Sequence, residues 1–107
     1  MKKHDITILE GYWTRYEELK KELDFPDKND NQARKDNVKT IVEGLQRVYE
    51  SAAEDIKTII HMRYWDIEDN QFEWADVADE LDYSISKTLR KRTRLLEMTV
   101  KEIGFVL

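Results

Sequence analysis

Apolar residues recur at intervals of three and four along almost the whole chain, and few folds accommodate that spacing. Leu9, Tyr12, Tyr16, Leu19 and Leu23 form the first such row, with Trp13 beside it. Positions three and four apart stack on one face of an α-helix, whereas a strand would need strict alternation. The row therefore predicts an amphipathic helix over residues 5–23, closed by Asp24-Phe25-Pro26 because proline disfavours helical geometry in the residue before it. Residues 27–37 are polar and read as a loop running into the next helix. A second row, Val38, Ile41, Leu45, Val48 and Ala52, keeps the spacing before the phase slips by one residue to Ile56, Ile59 or Ile60, and Tyr64. Ser51 and Glu54 stand at capping-box spacing, which predicts a break near Ser51; the alternative is one bent helix from about Ala33 to Tyr64.

Residues 65–71 read as a polar, acidic loop. A short helix follows over residues 73–81, with Trp74, Val77, Ala78 and Leu81 turned inward, then a turn at Asp82-Tyr83 and a long helix from Ser84. On that helix Ile85, Leu89, Leu96, Val100 and Ile103 are the expected buried stripe, and Gly104 stands where a C-terminal glycine belongs. Three glycines and one proline are too few for the turns of an all-β fold, so the expected class is all-α. At 107 residues the chain suffices for one domain. Within it, residues 1–50 read as a helical packing or oligomerisation segment and 51–107 as the functional segment. No cysteine is present, which excludes disulfides and thiolate metal sites and fits a reducing, cytoplasmic setting. No apolar run has membrane-spanning length and none near the start resembles a signal peptide, so no membrane partner is expected.

Charge is unevenly divided. The formal net charge is −5, yet residues 84–107 hold Lys87, Arg90, Lys91, Arg92, Arg94 and Lys101 against Glu97 and Glu102, a local +4. Residues 66–82 carry eight acids and no lysine or arginine. Such a division can keep a chain soluble while one helix offers positive potential to a polyanion. The two helices of residues 73–103 also have the parts of a helix-turn-helix: a short support helix, a small residue at the crossing (Ala78), a tight turn, and Ser84 as N-cap of the second helix. With the expected stripe turned inward, Lys87, Arg90, Lys91 and Arg94 fall on the far side, where arginine can read guanine and all four can neutralise phosphate. Arg92 lies nearer the stripe, suited either to a backbone contact or to an ion pair with the acidic support helix.

Trp74, Asp76, Val77-Ala78, Leu81 and Ser84 resemble region 4 of bacterial sigma factors, and more closely the small phage regulators of the RinA/ArpU type. The resemblance extends upstream to Ile59-Ile60-His61-Met62-Arg63-Tyr64-Trp65 and downstream to Ile103-Gly104, about half the chain. It implies an N-terminal helical hairpin followed by a helix-turn-helix, and a sequence-specific transcriptional regulator of phage or prophage origin resembling late-gene activators. The implied partners are double-stranded DNA, contacted through Ser84, Ser86, Lys87, Arg90, Lys91 and Arg94, and RNA polymerase beside it. No cofactor is implied. The pattern departs where Asp82 replaces the usual turn glycine, where Lys87 stands at a frequent threonine position, and in a longer loop between Tyr64 and Phe72.

Other candidates are weaker. Asp66-Ile67-Glu68-Asp69-Asn70 lacks the glycine and terminal glutamate of a calcium loop; His4 and His61 have no partner at ligand spacing, and no nucleophile-base set can be picked out, so an enzyme is not expected. Trp65, Trp74 and Phe72 read as core. Competing readings are a phage small terminase-like assembly protein, which also joins a helix-turn-helix to oligomerising helices, and a protein-interaction module using the acidic strip 66–82. The aromatic seam of the first helix, or the Val38–Val48 stripe, suits a two-fold dimer, unless the two rows pack on each other within one chain. Helical segments of this extent predict a far-UV circular dichroism spectrum well above the roughly one-third helix of an average protein, with no strong sheet component.

Overall fold

The computed structural model describes residues 2–24, 32–65 and 72–104. These form six α-helices: Lys3–Thr14 (α1), Tyr16–Asp24 (α2), Gln32–Ser51 (α3), Glu54–Ile60 (α4), Trp74–Leu81 (α5) and Ile85–Ile103 (α6). A π-helical turn, His61–Trp65, continues α4. No strand occurs among the described residues, so the all-α expectation stands.

The first row of apolar residues is buried as predicted: Leu9, Tyr12, Trp13, Tyr16 and Leu19. It belongs to two helices rather than one. Arg15, with φ −94° and ψ 10°, interrupts the run, its side-chain Nε and backbone N–H both donating to the Gly11 carbonyl. The polar stretch expected as a loop up to residue 37 is helical from Gln32. Polarity there marks a solvated helical face, with Arg34 bonded to Glu22 of α2 at 2.8 Å and Thr40 Oγ1 donating to the Asp36 carbonyl.

The break after Ser51 is present, and the single bent helix is not. Its cap differs from the prediction, however: Ala53 is the N-cap residue, and Ser51 donates to the Val48 carbonyl instead of closing a box with Glu54. The one-residue phase slip coincides with this break at 51–53, after which Ile56, Ile59 and Ile60 of α4 are buried. The π-helical turn that follows carries Tyr64 into the core.

The core draws on both halves of the chain. Trp13 has no exposed surface, and its indole N–H donates to Thr99 Oγ1 at 3.1 Å, binding α1 to α6. Trp65 is half-buried among Trp13, Tyr16, Tyr49 and His61, with ring centroids 6.0, 5.3, 4.9 and 5.2 Å away, and its own N–H donates to the Trp13 carbonyl. Tyr64 donates to Glu10 at 2.6 Å; burial first, then that carboxylate, pushes the phenol far above its ordinary pKa, so it remains a donor. The first row and the Val38–Val48 stripe are thus buried against each other and their neighbours within one chain, which corrects the expectation that either forms a dimer seam. A surface already removed from water has no further hydrophobic gain to offer a second copy.

Gly44 marks the closest approach of α3 and α6. A Cβ there would stand 1.8 Å from Ile103 Cγ2 and 3.3 Å from Ile103 Cβ. Alanine favours a helix over glycine by about 1 kcal/mol, but overpacking a core typically costs about 1–3 kcal/mol. Gly44→Ala should therefore destabilise the protein in urea titration, and should cost less in an Ile103→Ala background, where the clashing methyl is gone.

Candidate nucleic-acid interface

Helix α5 begins with a reciprocal cap. The Glu73 carboxylate accepts the Asp76 N–H, and Asp76 accepts the Glu73 N–H at 2.8 Å. Val77 and Ala78 are buried, the small side chain of Ala78 permitting close packing against α6. The helix ends where Asp82 adopts the left-handed conformation (φ 57°, ψ 42°) and the Tyr83 N–H bonds the Ala78 carbonyl at 2.9 Å. Aspartate fills a place usually given to glycine because its short polar side chain tolerates that geometry. Ser84 then caps α6, its Oγ accepting the Lys87 N–H at 3.1 Å.

The buried face of α6 is rotated from the predicted one. Thr88, Leu95, Leu96, Thr99 and Ile103 are buried, Leu89 and Val100 are only partly so, and Ile85 is 50% exposed. The reason is the two threonines. Thr88 Oγ1 donates to the Ser84 carbonyl and Thr99 Oγ1 to the Leu95 carbonyl, so each hydroxyl is satisfied locally and the residue packs as a small aliphatic. A hydropathy pattern counts threonine as polar and places the stripe on the neighbouring apolar residues.

Of the side chains predicted to contact nucleic acid, Ser84, Ser86, Lys87, Arg90 and Arg94 are exposed along the first two and a half turns of α6. Lys87 holds its ammonium 3.9 Å from the Tyr83 ring centroid. Lys91 differs: it is half-buried, with Nζ 3.4 Å from Asp55 Oδ2 at the start of α4. Arg92 makes no ion pair with the acidic support helix among the described residues. Its guanidinium lies 5.7 Å from the Trp74 ring, and that of Arg63 lies 4.6 Å from the same ring. Both Nε atoms are buried with no hydrogen-bond acceptor among the described residues, and the negative faces of the indole are the compensation at hand. Trp74, Trp65 and Phe72 are half-buried rather than core residues proper; the wholly buried tryptophan is Trp13.

Asp55 was not foreseen. Its Oδ2 accepts the Tyr83 hydroxyl at 2.9 Å, and its Oδ1 accepts the Ile56 N–H at 2.8 Å. Through Tyr83 and Lys91 this one carboxylate ties both the α5–α6 turn and α6 to α4. Nothing in spacing alone could have found it, since its partners lie 28 and 36 positions away. Burial would raise its pKa, but the Tyr83 hydroxyl, the Lys91 ammonium and the Ile56 N–H together hold it below the ordinary value. The same bond raises the pKa of Tyr83.

Elsewhere, His61 Nε2 lies 2.8 Å from the Tyr49 hydroxyl, at the edge of an open groove of about 490 Å³ lined also by Lys57, Met62, Phe72 and Glu80. No group of three or more metal-ligating side chains comes together among the described residues; the acidic run at residues 66–70 lies outside them. No helix of the described residues is long and apolar enough to cross a membrane.

The lowered pKa of Asp55 means that its stabilisation is complete above the unfolded carboxylate value of about 4 and is lost as pH falls through the lower folded value. Asp55→Asn should be less stable than the parent at pH 7, by about 1–3 kcal/mol. The difference should shrink as the pH falls below about 3 in parallel urea titrations. Compared with known proteins, the chain matches no family model, no curated protein and no solved structure.

Proposed function

We propose that the protein is a sequence-specific DNA-binding transcriptional regulator, with α5, the turn 82–84 and α6 acting as a helix-turn-helix. The observation that carries this reading is the exposed start of α6. Behind a serine cap and a left-handed turn, Lys87, Arg90 and Arg94 stand in solvent while the far half of the same helix is locked in the core. Helices that read DNA present their N-terminal residues to base edges in the major groove, and their first N–H groups favour phosphate. In this reading Arg90 contacts a base edge; Lys87, Arg94 and the hydroxyls of Ser84 and Ser86 contact the backbone; and Lys91, held by Asp55, sets the angle of the helix. Glu73 at the cap of α5 and Asp76, Asp79 and Glu80 within it are exposed, and the reading requires that they face away from the phosphates.

The reading extends to a phage or prophage regulator of late genes, with RNA polymerase as a second partner. It includes a homodimer, since one helix reading one half-site gains useful affinity when a second copy is tethered to it. The dimer surface then lies outside the two buried rows.

The test is DNA binding across salt concentration. Replacing Lys87, Arg90 and Arg94 with alanine should weaken binding to duplex DNA and flatten the log-affinity against log-salt slope by about one unit for each lost phosphate contact. Circular dichroism should be unchanged, because exposed substitutions seldom move stability by more than about 0.5 kcal/mol. Full affinity in the triple variant would move the interface elsewhere on the molecule.

A further inference from the structure

We infer that Ile85 is a specificity-determining residue that recognises the C5 methyl group of a thymine in the major groove; this deepens, and rests on, the DNA-binding reading above. Ile85 is the large hydrophobic side chain left exposed among the described residues, at 50% of its surface. The other large aliphatic and aromatic side chains among the described residues are buried or partly covered. Ile85 is also the first residue of α6, directly after the Ser84 cap.

Position decides what such a side chain can meet. At 100° per residue, Ile85, Ser86 and Arg90 span roughly 140° of arc at the N-terminal end of the helix. A helix that enters the groove by this end presents that sector to base edges, with Lys87 and Arg94 beyond its Arg90 side, toward one phosphate strand. The surroundings favour DNA over a protein partner as the occupant of this tip. Arg90 shares the exposed sector with Ile85, Lys87 and Arg94 are exposed just beyond Arg90, and no acidic residue occurs in the first three turns of α6.

Within a major groove an apolar side chain has one apolar counterpart, the thymine methyl. Cytosine, guanine and adenine offer polar groups at their edges, and an isoleucine set against them would desolvate a donor or acceptor without replacing its bond. The chemistry of this position therefore selects thymine and disfavours the other three bases. Arg90 and Ser86 beside it remain able to hydrogen-bond adjacent bases, so the expected site joins a thymine to a polar base edge.

The experiment compares thymine with deoxyuridine, which differ only in that methyl group. Duplexes bound by the full chain are selected from a random-sequence library, and each thymine of the selected site is replaced singly by deoxyuridine. Affinity is then measured by fluorescence anisotropy. One thymine, or one symmetric pair, should lose about fourfold on replacement, the worth of one buried methyl group. Ile85→Ala should bind the thymine and deoxyuridine duplexes equally, near the wild-type affinity for deoxyuridine, with an unchanged salt slope. If no thymine is sensitive, or if Ile85→Ala keeps the sensitivity while the Lys87, Arg90 and Arg94 variants still weaken binding, the assignment of Ile85 is overturned and the DNA reading stands. A full chain that selects no duplex overturns both.

Discussion

Helix α6 is divided between two environments, and the rest of the molecule is arranged around that division. Its far half is enclosed by α1, α3 and α4, with Leu95, Leu96 and Thr99 fully removed from solvent. The Trp13 indole fixes its axial position from one side through Thr99, and the Gly44–Ile103 approach fixes its distance from α3 on the other. Its near half is covered by α5 and by Asp55 of α4 on one side, where Thr88 is buried. That half carries most of the cations, with Lys87, Arg90 and Arg94 left in solvent. A helix clamped at one end projects the other rigidly, because bending would break the i to i−4 bonds between the two halves. The N-terminal helices need no separate role as an oligomerisation module to explain their aromatic seam. Trp13 is the clamp on α6, and Tyr16 backs it through Trp65 and Gln46.

The clamp alone does not set the angle between α5 and α6. That depends on Asp55, which accepts the Tyr83 hydroxyl and faces the Lys91 ammonium while anchored by the Ile56 N–H. A partly buried carboxylate is costly when it lacks partners and stabilising when they converge on it. Here the partners come from the turn and from α6, so satisfying the charge also orients the helix pair. The cation lost from the exposed set, Lys91, is used in this way. A lysine on a helix carrying several others cannot be assigned to solvent or to a partner from its position in the row, because its long stem reaches either.

That ambiguity describes what the sequence could reveal. The helices were legible because their apolar rows repeat, and Ala78, Asp82 and Ser84 were legible because a tight turn between helices demands a small residue, left-handed geometry and a cap. The orientation of α6 was not, since Thr88 and Thr99 look polar yet bury their hydroxyls against their own helix. The interruption at Arg15 and the π-helical turn were also invisible, as both arise from local hydrogen bonding without disturbing composition. Asp55 depended on tertiary proximity between residues far apart in the chain. Ser84, Ser86, Lys87, Arg90 and Arg94 could be placed on the surface from sequence; Ile85 could not, because an isoleucine in phase with a buried row is expected inside.

The charge of the whole chain bears on how such an interface would discriminate. Three exposed cations at the start of α6 stand against a remainder that is strongly acidic. Phosphate contacts supply affinity that is blind to sequence, and the two cationic ones that Lys87 and Arg94 would make supply little of it at physiological salt. The acidic face of α5 opposes approach in any other orientation, since charges within a Debye length of about 8 Å remain unscreened. In the proposed reading, non-specific binding would be weak, and a larger share of the binding free energy would have to come from base edges. An exposed isoleucine at the leading tip of the helix is costly in water and gains nothing on a phosphate backbone. If α6 enters a groove as proposed, its place at the helix start would be accounted for by a thymine methyl at the floor of that groove.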